Sequence, residues 1–213
     1  HSPIVIDNLV NGNKHIVEKI LKVPLIINNI GDKQNLKQVL LGKHENLKGT
    51  IHENKVIEAV MHFAAYAYVG ESTSNPIKYY KNNVVESTLL LDTLCDSEVV
   101  KKTFNNLPIP IVFSSSCATY GIPNNFPIDE NTRQFPINPY GKSKLFIEEI
   151  IKDLGKAKNL KSVILRYFNA AGAMPDSSIG EMHEPETHLI PLVIQTALGL
   201  RKHISIYGND YDT

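Results

Sequence analysis

Short apolar runs rich in Val and Ile alternate along this chain with longer segments of helical periodicity. Such runs are typical of strands buried on both faces of a parallel sheet, and the segments between them are long enough for crossover helices. The sequence therefore predicts an α/β fold of repeated βαβ units. The predicted strands are residues 3–6, 25–27, 60–63, 110–114, 162–167 and 204–206.

Two of the predicted helices have a clear start. Asn75-Pro76 and Asn138-Pro139 each place a capping side chain directly before a proline in the first helical turn. Weaker helical patterns cover residues 11–22, 33–41 and 191–200. After Gly172 the alternation stops, and a loop rich in Pro, Asp, Ser and Glu follows. We therefore predict a main domain over residues 1–172 and the start of a smaller lobe over 173–213.

The charge balance and the cysteines limit the class of protein. The 22 basic residues equal the 22 acidic ones, which argues against nucleic-acid and membrane-surface partners. No apolar stretch approaches the roughly 18 residues of a membrane span. Two cysteines cannot form a disulfide framework, and no Asn-x-Ser/Thr glycosylation site is present. We expect a cytoplasmic protein.

The glycines are too far apart for a phosphate-binding loop. A dinucleotide fold needs a glycine-rich turn after its first strand, so that the backbone can approach the pyrophosphate. The closest of the 12 glycines, Gly42 and Gly49, are seven positions apart. The chain also opens on His1 directly before an apolar run. We therefore expect a fragment that lacks an N-terminal glycine-rich strand and loop as well as a C-terminal part.

Three side chains could carry acid–base chemistry. Tyr140 and Lys144 are one helical turn apart, so they share a face, and a nearby ammonium lowers the pKa of a phenol. Ser116 follows a buried strand, at the edge where parallel sheets bind ligands. Taken singly, the pair also fits an exposed helix face, and the serines also fit an ordinary loop. Asp7, at the end of a strand, fits either a ribose contact or a plain turn.

Eight short motifs occur in one order along the chain. They are residues 7–9 (DNL), 62–65 (HFAA), 69–72 (VGES), 79–83 (YYKNN), 114–121 (SSSCATYG), 139–144 (PYGKSK), 165–169 (LRYFN) and 207–211 (YGNDY). Together they resemble the extended short-chain dehydrogenase/reductases, and most closely the members that epimerise UDP-sugars. The resemblance covers residues 3–213. It implies a Rossmann-like, doubly wound parallel sheet whose first strand is missing here, with NAD as the cofactor.

The resemblance also implies a role for individual residues. The catalytic set is Ser116, Tyr140 and Lys144, which also contact the cofactor. The other expected NAD contacts are Asp7, Asn8, Asn11, Gly12, Asn29, Ile30, Phe63, Ala64, Ala65, Ala67, Asn82 and Phe168. The UDP-sugar is expected to contact Ser116, Tyr140, Asn169, His188, Leu189, Ser205, Ile206 and Tyr207.

Some positions depart from the family pattern. The epimerases usually carry an acidic residue after a glycine at the segment that is Asn28-Asn29-Ile30 here. The asparagine keeps a polar contact with adenine, but the negative charge is lost. Position 67 is Ala, as in some members, where others have Lys. The eight histidines show no H-E-x-x-H or comparable ligand spacing, so we expect no metal site.

The resemblance implies inversion of the C4 hydroxyl of a UDP-sugar through a 4-keto intermediate, as in the interconversion of UDP-glucose and UDP-galactose. Alternatives are a UDP-pentose or UDP-uronate 4-epimerase, or a truncated product without activity. A dehydratase is disfavoured because Cys117-Ala118 stands where an Asp-Glu pair would be needed. The complete protein is expected to form a homodimer through the helices that begin at Pro76 and Pro139.

Overall fold

The computed structural model describes residues 1–183, 186–206 and 208–210. The chain divides into two compact units, His1–Phe168 and Asn169–Thr213, and each is described by itself. The division along the sequence falls after residue 168, whereas the sequence predicts a domain boundary after residue 172.

The described strands of the first unit form two parallel sheets. The first sheet pairs β1 with β2, and the second has the order β3-β4-β5. The α/β class with parallel strands is therefore confirmed. The strands are β1 (Val5–Asp7), β2 (Leu25–Ile27), β3 (Val60–His62), β4 (Ile111–Ser116) and β5 (Ser162–Tyr167).

The two sheets are separate among the described residues. There β1 pairs only with β2 and β3 pairs only with β4, so β1 and β3 each have one edge without a strand neighbour.

The described part of the chain contains seven α-helices, six in the first unit and one in the second. They are α1 (Lys33–Leu40), α2 (Val69–Ser74), α3 (Pro76–Tyr79), α4 (Ser87–Leu94), α5 (Ser97–Val100), α6 (Pro139–Lys158) and α7 (Leu189–Ala197), counted in the described part of the chain. A π-helical segment, Tyr80–Glu86, joins α3 to α4. The helix predicted over 11–22 is shorter, a π-helical segment at Ile16–Leu21. Short 3-10 turns occur at Glu45–Leu47 and Cys117–Thr119.

Helix α6 begins where the sequence predicts it. The Asn138 side chain accepts a hydrogen bond from the Gly141 backbone N–H at 2.8 Å, and Pro139 occupies the first helical position. Asn159 ends the helix in a left-handed conformation, with φ of 58°. These two caps fix the register of α6, and with it the direction of the side chains along its first turns.

The main core of the first unit lies between the second sheet and helices α1, α4 and α6. Each fully buried Leu, Ile or Phe contributes about 1.5–3 kcal/mol. Because Ile147 and Ile151 of α6 are one turn apart and both fully buried, this helix is held firmly against the sheet. The buried cluster comprises Leu36, Leu40, Leu90, Leu91, Leu94, Val99, Ile109, Ile111, Phe113, Ile147, Ile151 and Leu160.

The second unit contains α7 and an isolated antiparallel bridge between Ala173 and Gly180. The strand predicted at residues 204–206 is wrong, since these described residues form no strand. A strand requires a neighbour to satisfy its backbone groups, and the described part of this unit provides none for that segment. None of the helices in the described residues combines the length and apolarity that a membrane crossing requires.

Candidate active site

A cleft of about 260 Å³ lies at the carboxyl ends of β1, β2 and β3. Parallel strands end at the same edge of a sheet, so the residues that follow them converge there. The cleft brings together most of the predicted cofactor contacts, namely Asp7, Asn8, Asn11, Gly12, Asn29, Ile30, Phe63, Ala64, Ala65 and Asn82. Ala67, which is also described, is not part of its lining.

Asp7 sits at the end of β1 and shapes the first side of the cleft. Its Oδ1 accepts a hydrogen bond from the Leu9 backbone N–H at 2.6 Å. The Gly12 backbone lies close to this carboxylate, and a Cβ atom at position 12 would lie 2.5 Å from Asp7 Oδ1. A side chain at position 12 would therefore displace the Asp7 carboxylate from this position. Asn8 reaches across to β2 and donates to Asn29 Oδ1 at 2.9 Å.

The sequence analysis missed a carboxylate in this cleft. Glu86, from the π-helical segment, lines the cleft and accepts a hydrogen bond from the Gly31 backbone N–H at 2.9 Å. A Cβ atom on Gly31 would lie 2.3 Å from Glu86 Oε2, so Gly31 is needed for this approach. A carboxylate therefore lies beside the Asn28-Asn29-Ile30 segment, contributed by a residue 55 positions from Gly31 in sequence.

Asn83 fixes the loop that follows β3. The Tyr66 backbone N–H donates to Asn83 Oδ1 at 2.9 Å, and Asn83 Nδ2 donates to the Tyr66 carbonyl oxygen at 3.0 Å. The same Nδ2 donates to the Ser143 hydroxyl on α6 at 3.1 Å. Asn83 is almost fully buried. It therefore ties the cleft-lining loop to the helix that carries Tyr140 and Lys144.

Ser116, Tyr140 and Lys144 meet where β4 ends and α6 begins. The Ser116 hydroxyl lies close enough to the Tyr140 phenol to oppose the rise that burial causes in its pKa. The helix can approach the strand end because position 141 is glycine, where a Cβ would lie 2.4 Å from the Ala118 carbonyl oxygen. Lys144 is only 4% exposed, and its Nζ donates to the Ser114 carbonyl at 2.7 Å. The three predicted catalytic residues are thus adjacent at the ligand-binding edge of β4.

Burial dominates the electrostatics of this group. It lowers the pKa of the Lys144 ammonium to about 8. It also raises the pKa of the Tyr140 phenol, and the nearby Ser116 hydroxyl only opposes this effect. The expected lowering of the Tyr140 pKa by Lys144 is absent, because Nζ is bonded to Ser114 and lies 5.9 Å from the phenol ring centre. Burial and the Lys144 charge lower the pKa of His62 to about 3, so His62 is neutral.

A largely buried pair of charged side chains, Glu148 and Arg166, lies next to this group. Glu148, one helical turn after Lys144, is fully buried and accepts hydrogen bonds from Ser115 of β4 and from Arg166 of β5, the latter at 2.8 Å. Burial acts to raise the pKa of Glu148, but these hydrogen bonds outweigh it and lower the pKa. Arg166 also donates to the Tyr120 hydroxyl at 2.8 Å. The Glu148–Arg166 pair links α6 to β5, and Glu148 also links α6 to β4 at Ser115, the residue before Ser116. No sequence motif pointed to this pair.

The remaining predicted contacts are distributed over both units. Phe168 follows β5 at the end of the first unit, and its side chain is 58% exposed. Asn169, Leu189, Ser205 and Ile206 belong to the second unit and are exposed. His188 is the N-cap residue of α7, and its Nδ1 lies 2.9 Å from Glu186 Oε1. Tyr207 lies outside the described residues.

Comparison with known proteins assigns the family. The model of the NAD dependent epimerase/dehydratase family matches residues 1–212. The chain belongs to this family. It is 44% identical over 213 residues to the UDP-glucose 4-epimerase of Rhizobium meliloti, covering 100% of this chain and 58% of the relative.

Two solved structures show the same fold. The crystal structure of UDP-glucose 4-epimerase from Brucella ovis in complex with NAD matches with a TM-score of 0.82 and 40% identity, covering 100% of this chain and 58% of that chain. The UDP-glucose-4-epimerase from Stenotrophomonas maltophila, with bound NAD and formylated UDP-arabinopyranose, has a TM-score of 0.82 and 30% identity, with coverage of 100% and 59%. These matches confirm the Rossmann-like fold class.

The chain spans about 58% of the length of the Rhizobium meliloti relative. The match to this relative covers the whole of this chain, and therefore includes the cleft, the Ser116–Tyr140–Lys144 group and the Glu148–Arg166 pair. The family assignment thus applies to every part of the site described above.

Proposed function

We propose that this chain carries the cofactor cleft and the catalytic group of an enzyme that inverts the C4 hydroxyl of a UDP-sugar, interconverting UDP-glucose and UDP-galactose. The observation that carries the proposal is that Ser116, at the end of β4, lies beside Tyr140 and Lys144 of the first turns of α6. The cleft lies at the carboxyl ends of β1, β2 and β3. A hydroxyl and a phenol in contact can share a proton with a substrate hydroxyl placed beside them.

The residues of the cleft fit the ribose and base portions of NAD. Asp7, with Gly12 drawn close to its carboxylate, offers an acceptor for ribose hydroxyl groups, and this charge disfavours the extra phosphate of NADP. Asn29 and Glu86 supply polar groups nearby. The cleft volume of about 260 Å³ is close to the lower end of common ligand pockets. A pyrophosphate cradle is not among the described residues of this cleft.

The protein's own residues would move the proton. Tyr140 would take the proton of the sugar 4-hydroxyl and later return it to the same oxygen, while Ser116 holds that oxygen by hydrogen bonding. Lys144, which is cationic at neutral pH, would bind the nicotinamide ribose. Bound NAD would supply a reversible acceptor for the C4 hydride, and return of the hydride to the other face of the resulting 4-keto sugar would invert C4.

We propose that the second unit binds the UDP portion of the substrate. The contacts of the second unit with UDP would come from its first residue, from the start of α7 and from the segment after α7. The residues are Asn169, His188, Leu189, Ser205, Ile206 and Tyr207. Exposure of the described members of this set leaves them accessible to a ligand.

Conversion of UDP-galactose by the whole protein tests the proposal. We expect UDP-glucose to form with no net change in NAD, and Tyr140→Phe to abolish most of this activity. A stable 4-keto, 6-deoxy product would contradict the epimerase reaction. Lack of any conversion, with NAD bound, would shift the assignment to another sugar, and lack of NAD binding would favour the inactive product.

A UDP-pentose is the second candidate substrate. The Stenotrophomonas maltophila structure holds a formylated UDP-arabinopyranose, so this fold accommodates a UDP-pentose in at least one related protein. Parallel assays with UDP-galactose and UDP-arabinose separate the two candidates, because the kcat/KM ratio reports the preference directly.

We further propose that the whole protein is a homodimer. Apolar side chains of α3, the π-helical segment and α6 are exposed, including Ile77, Val85 and Phe146. The Tyr80 and Phe146 ring centres lie 6.2 Å apart, so the two helical stretches present one continuous apolar surface. Light scattering should give a dimer mass for the wild type, and a monomer mass would contradict the proposal.

The cytoplasm is the proposed location. Cys95 and Cys117 are both free thiols. A reducing compartment preserves such thiols, whereas secreted proteins commonly pair theirs. Fractionation of cells that express the protein from its own gene would test this assignment.

A further inference from the structure

Four potential metal ligands converge in the second unit, on the loop that precedes α7. They are Glu181, His183, Glu186 and His188, and one ligand atom of each lies within 4.8 Å of those of the other three. The His183 and His188 ring centres are 4.8 Å apart. The spacing of the histidines indicated no metal site, and the proposed function gives a role to only one of the four residues, His188.

The distances within the cluster are close to those of a metal site. His188 Nδ1 lies 3.0 Å from Glu181 Oε1 and 2.9 Å from Glu186 Oε1, and His183 Nδ1 lies 3.2 Å from Glu181 Oε1. Zinc binds imidazole nitrogen and carboxylate oxygen at about 2.0–2.2 Å, which separates neighbouring tetrahedral ligand atoms by about 3.3 Å. A metal ion could thus replace the hydrogen bonds that now join these groups after only small side-chain shifts.

The backbone orients one carboxylate of the cluster. The N–H groups of Thr187 and His188 both donate to Glu186 Oε1 at 2.8 Å. The same oxygen lies 2.9 Å from His188 Nδ1. A ligand group that is already held in place loses less conformational freedom when it binds an ion.

We propose that Glu181, His183, Glu186 and His188 bind a divalent transition-metal ion, with Zn²⁺ as the best match to two imidazole and two carboxylate ligands. The ion would link the beginning of the loop, Glu181, to the N-cap of α7, His188, and so fix the start of that helix. Mg²⁺ and Ca²⁺ prefer all-oxygen ligands and should bind far more weakly. The proposal does not depend on the epimerase reaction.

Metal titration of the protein without an affinity tag tests this site. After removal of metals with a chelator, Zn²⁺ is titrated against a chromophoric competitor, and one ion per chain is expected. His183→Ala and His188→Ala should each weaken binding by at least about tenfold, since even the loss of an outer-shell partner costs 10–100-fold. His203→Ala, an exposed histidine of the same unit outside the cluster, is the matched control and should leave the affinity unchanged.

X-ray absorption of the zinc-loaded protein provides a second measurement, and it should show two imidazole ligands and oxygen ligands. Circular dichroism of each variant separates lost binding from lost folding. The proposal is overturned if the wild type binds no Zn²⁺, or if the two cluster variants bind it as tightly as His203→Ala does.

Discussion

Replacement of Lys144 by Met should make the cofactor-free protein more stable at neutral pH. The ammonium of Lys144 is only 4% exposed, and burial reduces its pKa from the ordinary 10.5 to about 8. This fall corresponds to about 3 kcal/mol of destabilisation at pH 7, where the group is charged in both the folded and the unfolded states. Met keeps a similar length and removes the buried charge. Loss of the hydrogen bond to the Ser114 carbonyl costs about 1 kcal/mol, which leaves a net gain of about 2 kcal/mol.

The pH dependence makes this prediction specific. Because the folded pKa lies below the unfolded pKa, the unfolded state holds more protons between about pH 8 and 10.5, and wild-type stability rises with pH in that window. Between pH 7 and 9 the wild type should gain about 1.4 kcal/mol relative to Lys144→Met. Urea denaturation at both pH values measures this difference. Lys156→Met, which replaces an 81% exposed lysine of the same helix, is the control.

The reasoning is refuted if Lys144→Met is less stable than the wild type at pH 7, or if the difference between the two proteins does not change with pH. The first result would mean that the bond to Ser114 outweighs the cost of burying the charge. The second would mean that the ammonium is solvated.

Three further changes test other parts of the site. Tyr140→Phe should lower kcat by ~10²–10⁴ with unchanged NAD content, as measured by steady-state kinetics; near-normal turnover would exclude Tyr140 as the acid–base group. Glu148→Gln should lower the free energy of unfolding by about 3 kcal/mol at neutral pH, because Arg166 then loses its carboxylate partner. Since the pKa of Glu148 is lowered in the folded state, this difference from the wild type should shrink below pH 4.5, as measured by urea denaturation. Phe146→Lys should yield monomers in light scattering, and an unchanged dimer mass would place the interface elsewhere.

Local sequence signals predicted the elements that depend on local chemistry. The cap Asn138 and the following Pro139 located the start of α6 correctly, and the apolar runs at 25–27 and 162–167 matched β2 and β5 at both ends. The segment at 204–206 has the same apolar character and forms no strand, because a strand also needs a neighbour. Parallel sheet formation thus depends on pairings that a single apolar run does not encode.

Most of the predicted cleft residues came from the order of the motifs, since each motif alone also fits an ordinary turn or loop. The supporting residues could not be found in this way. Glu86 contacts Gly31 from 55 positions away, and Glu148 contacts Ser115 from 33 positions away, so only the folded chain reveals them. The pKa of Lys144 was equally inaccessible, because it depends on burial rather than on its spacing from Tyr140.

The fate of the hydrogen on C4 tests the central claim most directly. UDP-galactose is converted by the whole protein in deuterated water, and the product is examined by proton NMR. Hydride transfer to a bound cofactor and back keeps the original hydrogen at C4, whereas removal of that hydrogen as a proton would exchange it with solvent. The account predicts UDP-glucose that carries no deuterium at C4, and incorporation of deuterium at that position would contradict it.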